Sequence, residues 1–284
     1  MPKVKNKSQL AKELGVSRSS LYYKSKMEAK DLELAKQIRG VHLKHPAYGH
    51  KRLAMELKIN KKRVLRVMNK FNIKPPRRRL KKPVKERDFG NPAVDYPNLL
   101  TNLEVLAPDI VWASDFTYIK FQGKFIYVAT VTDIFTRRIV GWQISNKHNS
   151  SLVKAAFEDA FRRTNKTPKI SHSDQGSEYT SKEHIQILEG KGIKVSFSAK
   201  ASPWQNGYQE SLYSGFKLDL GYIDRFKNIG ELVAGIHQTI HYYNNSRIHT
   251  KLKMSPTCFY KQVIQLENEL KGDNNKLLSN KMGT

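Results

Sequence analysis

The hydrophobic pattern of this 284-residue chain turns from helical to strand-like near Pro108, so its two parts cannot share one layer architecture. Before Pro108 apolar residues recur every three or four positions, as in amphipathic helices. After it come Val111–Phe121, Phe125–Ile134 and Arg138–Ser145, rich in Val, Ile, Tyr, Phe and Thr, with breaks at Gln122-Gly123 and Thr136-Arg137. These read as three consecutive antiparallel strands. Ser151–Thr164 then predicts a helix, Lys169–Ser173 a strand, Ser181–Gly190 a helix opened by the capping box Thr180/Glu183, and Lys194–Ser198 a strand. Tyr208–Tyr222 and Glu231–Asn244 complete the pattern as helices. A three-strand meander followed by α-β-α-β-α is an α/β core: a mixed five-stranded sheet with flanking helices, here preceded by small all-α units.

Charge divides the chain at nearly the same place. Residues 1–87 hold 27 Lys and Arg against 6 Asp and Glu, a net of +21; residues 88–284 hold 24 against 19, a net of +5. The front of the molecule is built to meet a polyanion, most simply nucleic acid, and the back carries most of the carboxylates. The single cysteine, Cys258, excludes a disulfide framework and any multi-cysteine zinc module. No signal peptide or membrane span is legible, which points to a reducing compartment, the cytoplasm.

Ser8–Tyr23 predicts helix, tight turn, helix: Ser8 as cap, Leu10, Ala11 and Leu14 on one face, Gly15 in the turn, Val16 inward and Ser17 capping the second helix. This is a helix-turn-helix presenting Arg18, Ser19, Ser20 and Tyr22 to DNA, or else an ordinary helical hairpin. A second helical unit follows, with Asp31–Leu43, His50–Leu57 and a third helix capped by Asn60 and running to Lys70. Its last helix turns Val64, Leu65, Val67 and Met68 inward and Lys61, Lys62, Arg63 and Arg66 largely outward, a second candidate DNA contact. Pro75, Pro76 and Pro83 forbid a continuous helix through the basic run that includes Arg77, Arg78, Arg79, Lys81 and Lys82. An extended linker that tracks phosphates fits. The expected division is therefore 1–27, helix-turn-helix; 28–73, second DNA-binding unit; 74–107, basic linker; 108–265, core with C-terminal helices; and 266–284, a disordered polar tail.

Three carboxylates stand out in the core. Asp115 lies in mid-strand within WASDFT, where a charge is costly unless paired or bound to metal. Asp174 ends the fourth strand in HSDQGS, at the kind of strand end where ligands collect. Glu210 opens a helix after SPWQNG, and 35 residues separate it from Asp174. This ordered set resembles the Asp-Asp-Glu core of retroviral integrases and bacterial insertion-sequence transposases. The words WASDFTYI, VTDIFTRRIVGW, HSDQGSEYTS, SPWQNGYQES and YYNNSRIHTKLKMSP are similar to the insertion-sequence branch in particular.

The resemblance spans roughly residues 30–260 and implies a ribonuclease-H-like fold with Asp115, Asp174 and Glu210 as catalytic metal ligands. It also implies two Mg2+ ions per site, with Mn2+ as a substitute, about 4 Å apart in such chemistry. The implied activity is cleavage at a transposon end to expose a 3′-OH, then joining of that hydroxyl to DNA. The implied partners are double-stranded DNA, further copies of the chain on that DNA, and the product of an upstream reading frame. One rival is a metal-dependent nuclease that cuts without joining; another is a DNA-binding regulator with a silent core.

Neighbouring residues carry weaker expectations. Asn206 and Lys217, four before and seven after Glu210, would share its helical face as DNA contacts or as a solvated face. Asp133, Glu178 and Glu183 read as turn, loop and cap residues. His237 and His241 have zinc-ligand spacing but lack a metalloprotease glutamate, and core or DNA-facing histidines are the simpler reading. Trp204 is a core anchor or packs on a nucleotide.

Overall fold

In the computed structural model the described residues are 6–22, 26–76, 96–198 and 207–282. The chain separates into two compact units, residues 1–75 and 76–284.

The N-terminal unit begins with α1 (Lys7–Glu13), capped by Asn6 instead of Ser8: the Asn6 side chain accepts from the Ser8 N–H at 3.1 Å. Gly15 turns the chain at φ +61°, a left-handed conformation that glycine adopts without penalty. The expected second helix shortens to one 3-10 turn, Arg18–Leu21. The serines explain this, because Ser17 Oγ lies 2.8 Å from both Ser19 Oγ and Ser20 Oγ and also caps Ser20 N–H. Such hydroxyls offer the backbone an alternative to helical pairing. So short a motif buries only Ala11, and Val16, expected inward, is exposed.

Three helices follow: α2 (Lys26–Lys44), α3 (His50–Glu56) and α4 (Lys61–Lys70). α2 starts five residues earlier than the pattern suggested and stops just before His45-Pro46, where proline disfavours helical backbone in the preceding residue. Tyr48 stacks on His45 at 4.4 Å and is fully buried. Asn60 caps α4 through Lys62 N–H at 2.8 Å, and Val64, Val67 and Met68 are buried as expected, whereas Leu65 is exposed. One ion pair ties first helix to last: Asp31, buried, receives both arms of the Arg66 guanidinium at 2.7 and 2.5 Å and the Lys70 ammonium at 3.3 Å.

In the second unit β1 (Val111–Phe121), β2 (Lys124–Asp133) and β3 (Ile139–Ser145) form the antiparallel meander. α5 (Ser150–Thr164) crosses to β4 (Ile170–Ser173), and α6 (Lys182–Gly190) leads to β5 (Lys194–Phe197). The sheet order is β3-β2-β1-β4-β5, with β4 and β5 parallel to β1. This is the mixed five-stranded sheet expected from the sequence. α7 (Gly207–Leu220), α8 (Ile229–Asn245) and α9 (Pro256–Met282) complete the unit.

Two apolar cores clamp the sheet. On one face Trp112, Ala129 and Val131 meet Val153, Ala156 and Phe157 of α5 and Leu188 of α6. On the other Ile119, Ile126 and Val128 meet Leu212 and Phe216 of α7 and Ile236 and Ile240 of α8. β3 and α5 approach so closely that a Cβ at Gly141 would lie 2.4 Å from the Ala156 carbonyl oxygen. Residues 96–106, assigned to the linker by composition, lie on this core: Tyr96 packs edge-on against Phe197, and Leu99 N–H donates to Ser196 Oγ at 3.0 Å. At the other end, residues 266–282, expected to be a disordered tail, continue α9.

The Asp31 clamp makes the N-terminal unit acid-sensitive in a defined window. Hydrogen bonding to Arg66, opposed by burial, holds the Asp31 carboxyl down at about 2 instead of 3.8. A depressed folded-state pKa contributes stability that is complete above the unfolded value and lost as pH falls through the folded one. Amide-exchange protection of α2 and α4 in the wild type should therefore exceed that of Asp31→Asn by a constant margin above about pH 4 and shrink toward it near pH 2. A margin that stays constant down to pH 2 would show that the pair adds no pH-dependent stability.

Candidate active site

Asp115 sits in the middle of β1, two residues beyond the last residue that β1 pairs with β4. Strand alternation directs its side chain to the face shared by Thr117, Ile119 and Phe121, which α7 and α8 cover. The Phe116 N–H donates to Asp115 Oδ1 at 2.8 Å. Asp174 directly follows β4, which lies parallel beside β1, and its Oδ1 accepts the Gly176 N–H at 3.1 Å. Each strand aspartate is thus oriented by the main chain of the next turn or residue.

Glu210 bears electrostatically on Asp115 because α7 is fastened to β1 on both sides of it. Buried Gln209 donates through Nε2 to the Ala113 carbonyl at 2.8 Å. Tyr213, one turn later, donates its hydroxyl to the Asp115 carbonyl, and the Thr130 hydroxyl completes the chain at 2.8 Å. Thr130 is the residue directly opposite Asp115 in the β1–β2 register. A buried ion pair, Arg247 Nε to Asp219 Oδ2 at 2.5 Å, holds the far end of α7. Glu210 itself stays exposed while its neighbours Gln209, Leu212 and Tyr213 are buried.

The electrostatics follow from this convergence. Burial, then the charge of Asp174 and that of Glu210, push the Asp115 carboxyl up to about 8, against the opposing Phe116 N–H. Burial and the Asp115 charge also raise the Tyr179 and Tyr213 phenols, so both remain neutral donors. Among the described residues no group of three or more His, Cys, Asp or Glu is drawn together tightly enough to hold a metal ion. The donor chemistry nevertheless suits one. The charges of Asp174 and Glu210 both bear on buried Asp115, and a divalent cation bound by carboxylate oxygens would relieve that repulsion.

Several residues around the site carried no sequence signal for this role. Glu178, expected as a loop residue, is buried beside Asp174: its Oε2 and Asp174 Oδ1 lie 2.7 and 3.1 Å from where a Gly176 Cβ would stand. Its Oε1 pairs with His148 Nε2 at 2.7 Å. The Tyr179 hydroxyl is buried and lacks a hydrogen-bond partner among the described residues. Gln209 and Tyr213 flank Glu210 at the positions where a helix turns its buried side inward, the one cue that could have singled them out.

The remaining expected residues fall as follows. Arg18, Ser19, Ser20 and Tyr22 are exposed on the 3-10 turn, with Lys7 Nζ 4.8 Å from the Tyr22 ring. Lys61 and Lys62 are exposed and Arg63 half-buried at the start of α4, while the Arg66 fork is engaged by Asp31. Lys217 Nζ lies 5.2 Å from the Tyr118 ring. Arg77, Arg78, Arg79, Lys81, Lys82, Asn206 and Trp204 lie outside the described residues. Asp133 caps the β2–β3 turn, accepting from Thr136 N–H at 3.0 Å. His237 accepts from Trp142 Nε1 at 2.9 Å, and His241 contacts Asn245.

Tyr213→Phe removes the donor to the Asp115 carbonyl and strands the Thr130 hydroxyl, a loss of about 1–2 kcal/mol by the usual cost of a buried hydrogen bond. Urea unfolding should show that loss, and amide exchange should quicken in the first turns of α7 before the sheet. Wild-type protection in α7 would mean that the apolar core alone positions this helix.

The integrase core domain family matches residues 106–203, and a second integrase core domain family matches residues 191–256. A family of Fis-type bacterial regulatory proteins matches residues 4–26. The transposase for insertion sequence element IS904 of Lactococcus lactis is 32% identical over 247 residues, covering 84% of this chain and 97% of that protein. The InsK protein of insertion sequence IS150 of Escherichia coli is 29% identical, covering 84% and 87%. In shape, the chain resembles a chain of the simian T-cell lymphotropic virus intasome in complex with a PP2A regulatory subunit, with a TM-score of 0.52 at 15% identity over 79% of this chain and 74% of that one. With the Asp115, Asp174 and Glu210 constellation inside the matched core, the chain belongs to the insertion-sequence transposases that carry an integrase catalytic core.

Proposed function

We propose that this transposase binds the ends of its insertion sequence, cleaves to expose a 3′-OH and joins that hydroxyl to target DNA at the Asp115/Asp174/Glu210 site. The observation that supports the reading is the fastening of α7, which carries Glu210, to the Ala113 and Asp115 carbonyls, with Asp174 following the strand beside Asp115. Two Mg2+ ions held by these carboxylates, or Mn2+ in their place, would activate the attacking oxygen and neutralise the leaving one. The protein's own part is positional. Phe116 N–H and Gly176 N–H orient the aspartates, Tyr213 and Gln209 hold the glutamate helix, and exposed Glu210 leaves the site open to a DNA backbone.

Cleavage and joining need only a change of nucleophile, from water to the 3′-OH, so one site serves both steps. Arg18, Ser19, Ser20, Tyr22, Lys61, Lys62 and Arg63 supply the grip on double-stranded DNA, with Arg77, Arg78, Arg79, Lys81 and Lys82 following the phosphates; Arg66 contributes less because Asp31 occupies its fork. Asn206 and Lys217 contact the strand near the cut. Joining two ends calls for further copies of the chain on the DNA, within the bacterial cytoplasm. No helix among the described residues is long and apolar enough to cross a membrane.

Asp115→Asn, Asp174→Asn and Glu210→Gln keep side-chain shape but each removes a ligand charge. Each should abolish both cleavage and joining of a precut 3′-OH end, at least a thousandfold, while duplex binding changes less than twofold. Near-wild-type turnover in any one would remove that residue from the site. Cleavage without joining in the wild type would favour the nuclease reading.

The grip is tested separately. Residues 1–87, with a net charge of +21, should bind duplex DNA with an affinity that falls steeply with salt, because each neutralised phosphate releases counterions. Residues 105–265 should bind far more weakly and with a shallower slope. Equal affinities and slopes would show that grip and chemistry are not divided between the two parts.

A further inference from the structure

The face of the sheet opposite Asp115 carries a row of aromatic side chains that the apolar core does not use up. Phe116 and Tyr127 pack at the rim of the α5 core, and beyond them Tyr118 is 55% and Phe125 46% exposed. Register places Tyr118 opposite Tyr127 and Lys120 opposite Phe125. The rings run in contact, Tyr118 edge-on to Phe125 at 5.3 Å and Phe125 to Tyr127 at 6.4 Å. His148 closes the row, stacked on Tyr127 at 5.2 Å and tilted on Phe116 at 4.3 Å.

This row is connected to the proposed catalytic carboxylates through two of the elements that carry them, β1 and α7. Phe116 directly follows Asp115. Lys217, two turns beyond Glu210 on α7, brings its ammonium to 5.2 Å from the Tyr118 ring. β1 pairs with β4 only over Val111–Ala113, so from Ser114 onward its second edge has no strand partner among the described residues. A DNA strand passing the carboxylates can turn over that edge onto the rings.

The chemistry of the face selects the ligand. Exposed rings interleaved with cations, Lys120 and Lys217 here, suit bases that stack and phosphates that follow. Residues 116–132 contain no Asp or Glu, so the strand pair presents nothing of its own that repels a phosphate backbone. A duplex hides its bases inside the stack, whereas unpaired nucleotides offer their faces. We propose that Tyr118 and Phe125, with Lys120 and Lys217, form a stacking platform for unpaired DNA nucleotides displaced beside the cut. The proposal rests on the DNA-processing reading above and assigns the occupant of this surface.

The test uses the full chain at about 0.3 M salt, where phosphate contacts weaken more than stacking does. The probes are a 15-nucleotide all-thymine strand and a blunt duplex of the same length. Tyr118→Ala/Phe125→Ala should bind the single strand about tenfold more weakly and leave duplex binding and the melting temperature unchanged. Tyr118→Trp/Phe125→Trp should restore strand binding, and its indole fluorescence should be quenched by the strand. Unchanged strand affinity in the alanine variant overturns the platform, as does an equal loss for strand and duplex. A smaller sedimenting species with unchanged strand affinity also overturns it and makes the face a contact between copies. Wild-type protein that binds duplex but not the strand overturns the platform alone; wild-type protein that binds neither overturns the reading on which it rests.

Discussion

Mutual repulsion among Asp115, Asp174 and Glu210 is the constraint around which the core is arranged. Burial first, then the charges of Asp174 and Glu210, push the Asp115 carboxyl up to about 8, so a negative charge held there is costly. Such a cluster persists only if the surrounding structure is stiffer than the repulsion. Stiffness comes from the sheet, clamped between α5 and α6 on one face and α7 and α8 on the other. Because interiors are packed like crystals, the strand aspartates have little room to move apart.

Glu210 is the member that needs most support, since it rides on a helix that packs across the sheet. Three polar attachments replace strand pairing for it: Gln209 to Ala113, Tyr213 to Asp115, and the Arg247–Asp219 pair at the far end. The first two grip main-chain carbonyls of the strand that bears Asp115. Movement of that strand is therefore transmitted to the glutamate helix, and Asp115 and Glu210 are positioned as one body. The N-terminal unit uses a similar device, with buried Asp31 of α2 drawing in Arg66 and Lys70 of α4. There one buried carboxylate engages two cations of the basic surface and closes a three-helix fold.

Element boundaries were most legible where a local chemical event sets them. β1 and the start of β5 coincide with their alternating apolar runs, and α4 begins at its Asn60 cap. Expectations departed from the structure where local signals competed. Three serines divert Arg18–Leu21 into a 3-10 turn, and residues 96–106, read as the end of the linker, are drawn onto the core by Tyr96 and Leu99. Beyond residue 265 α9 continues to Met282 even through Gly272-Asp273-Asn274-Asn275, residue types that disfavour helix, which is why the sequence read as a tail there.

Sequence by itself determined the order and kind of elements, the separation of a basic front from a carboxylate-bearing core, and the identity of the three acidic residues. Those properties are carried by periodicity, charge count and motif, all of them local along the chain. Tertiary structure decided what those residues meet. It placed Thr130 opposite Asp115, locked Gln209 and Tyr213 onto β1, and set Glu178 with His148 beside Asp174. It also left Tyr118 and Phe125 uncovered on the far face of the same strands. Each of these depends on register and on which helix covers which face. Partners about 80 to 100 positions apart, such as Thr130 with Tyr213 and Ala113 with Gln209, leave no mark on local periodicity.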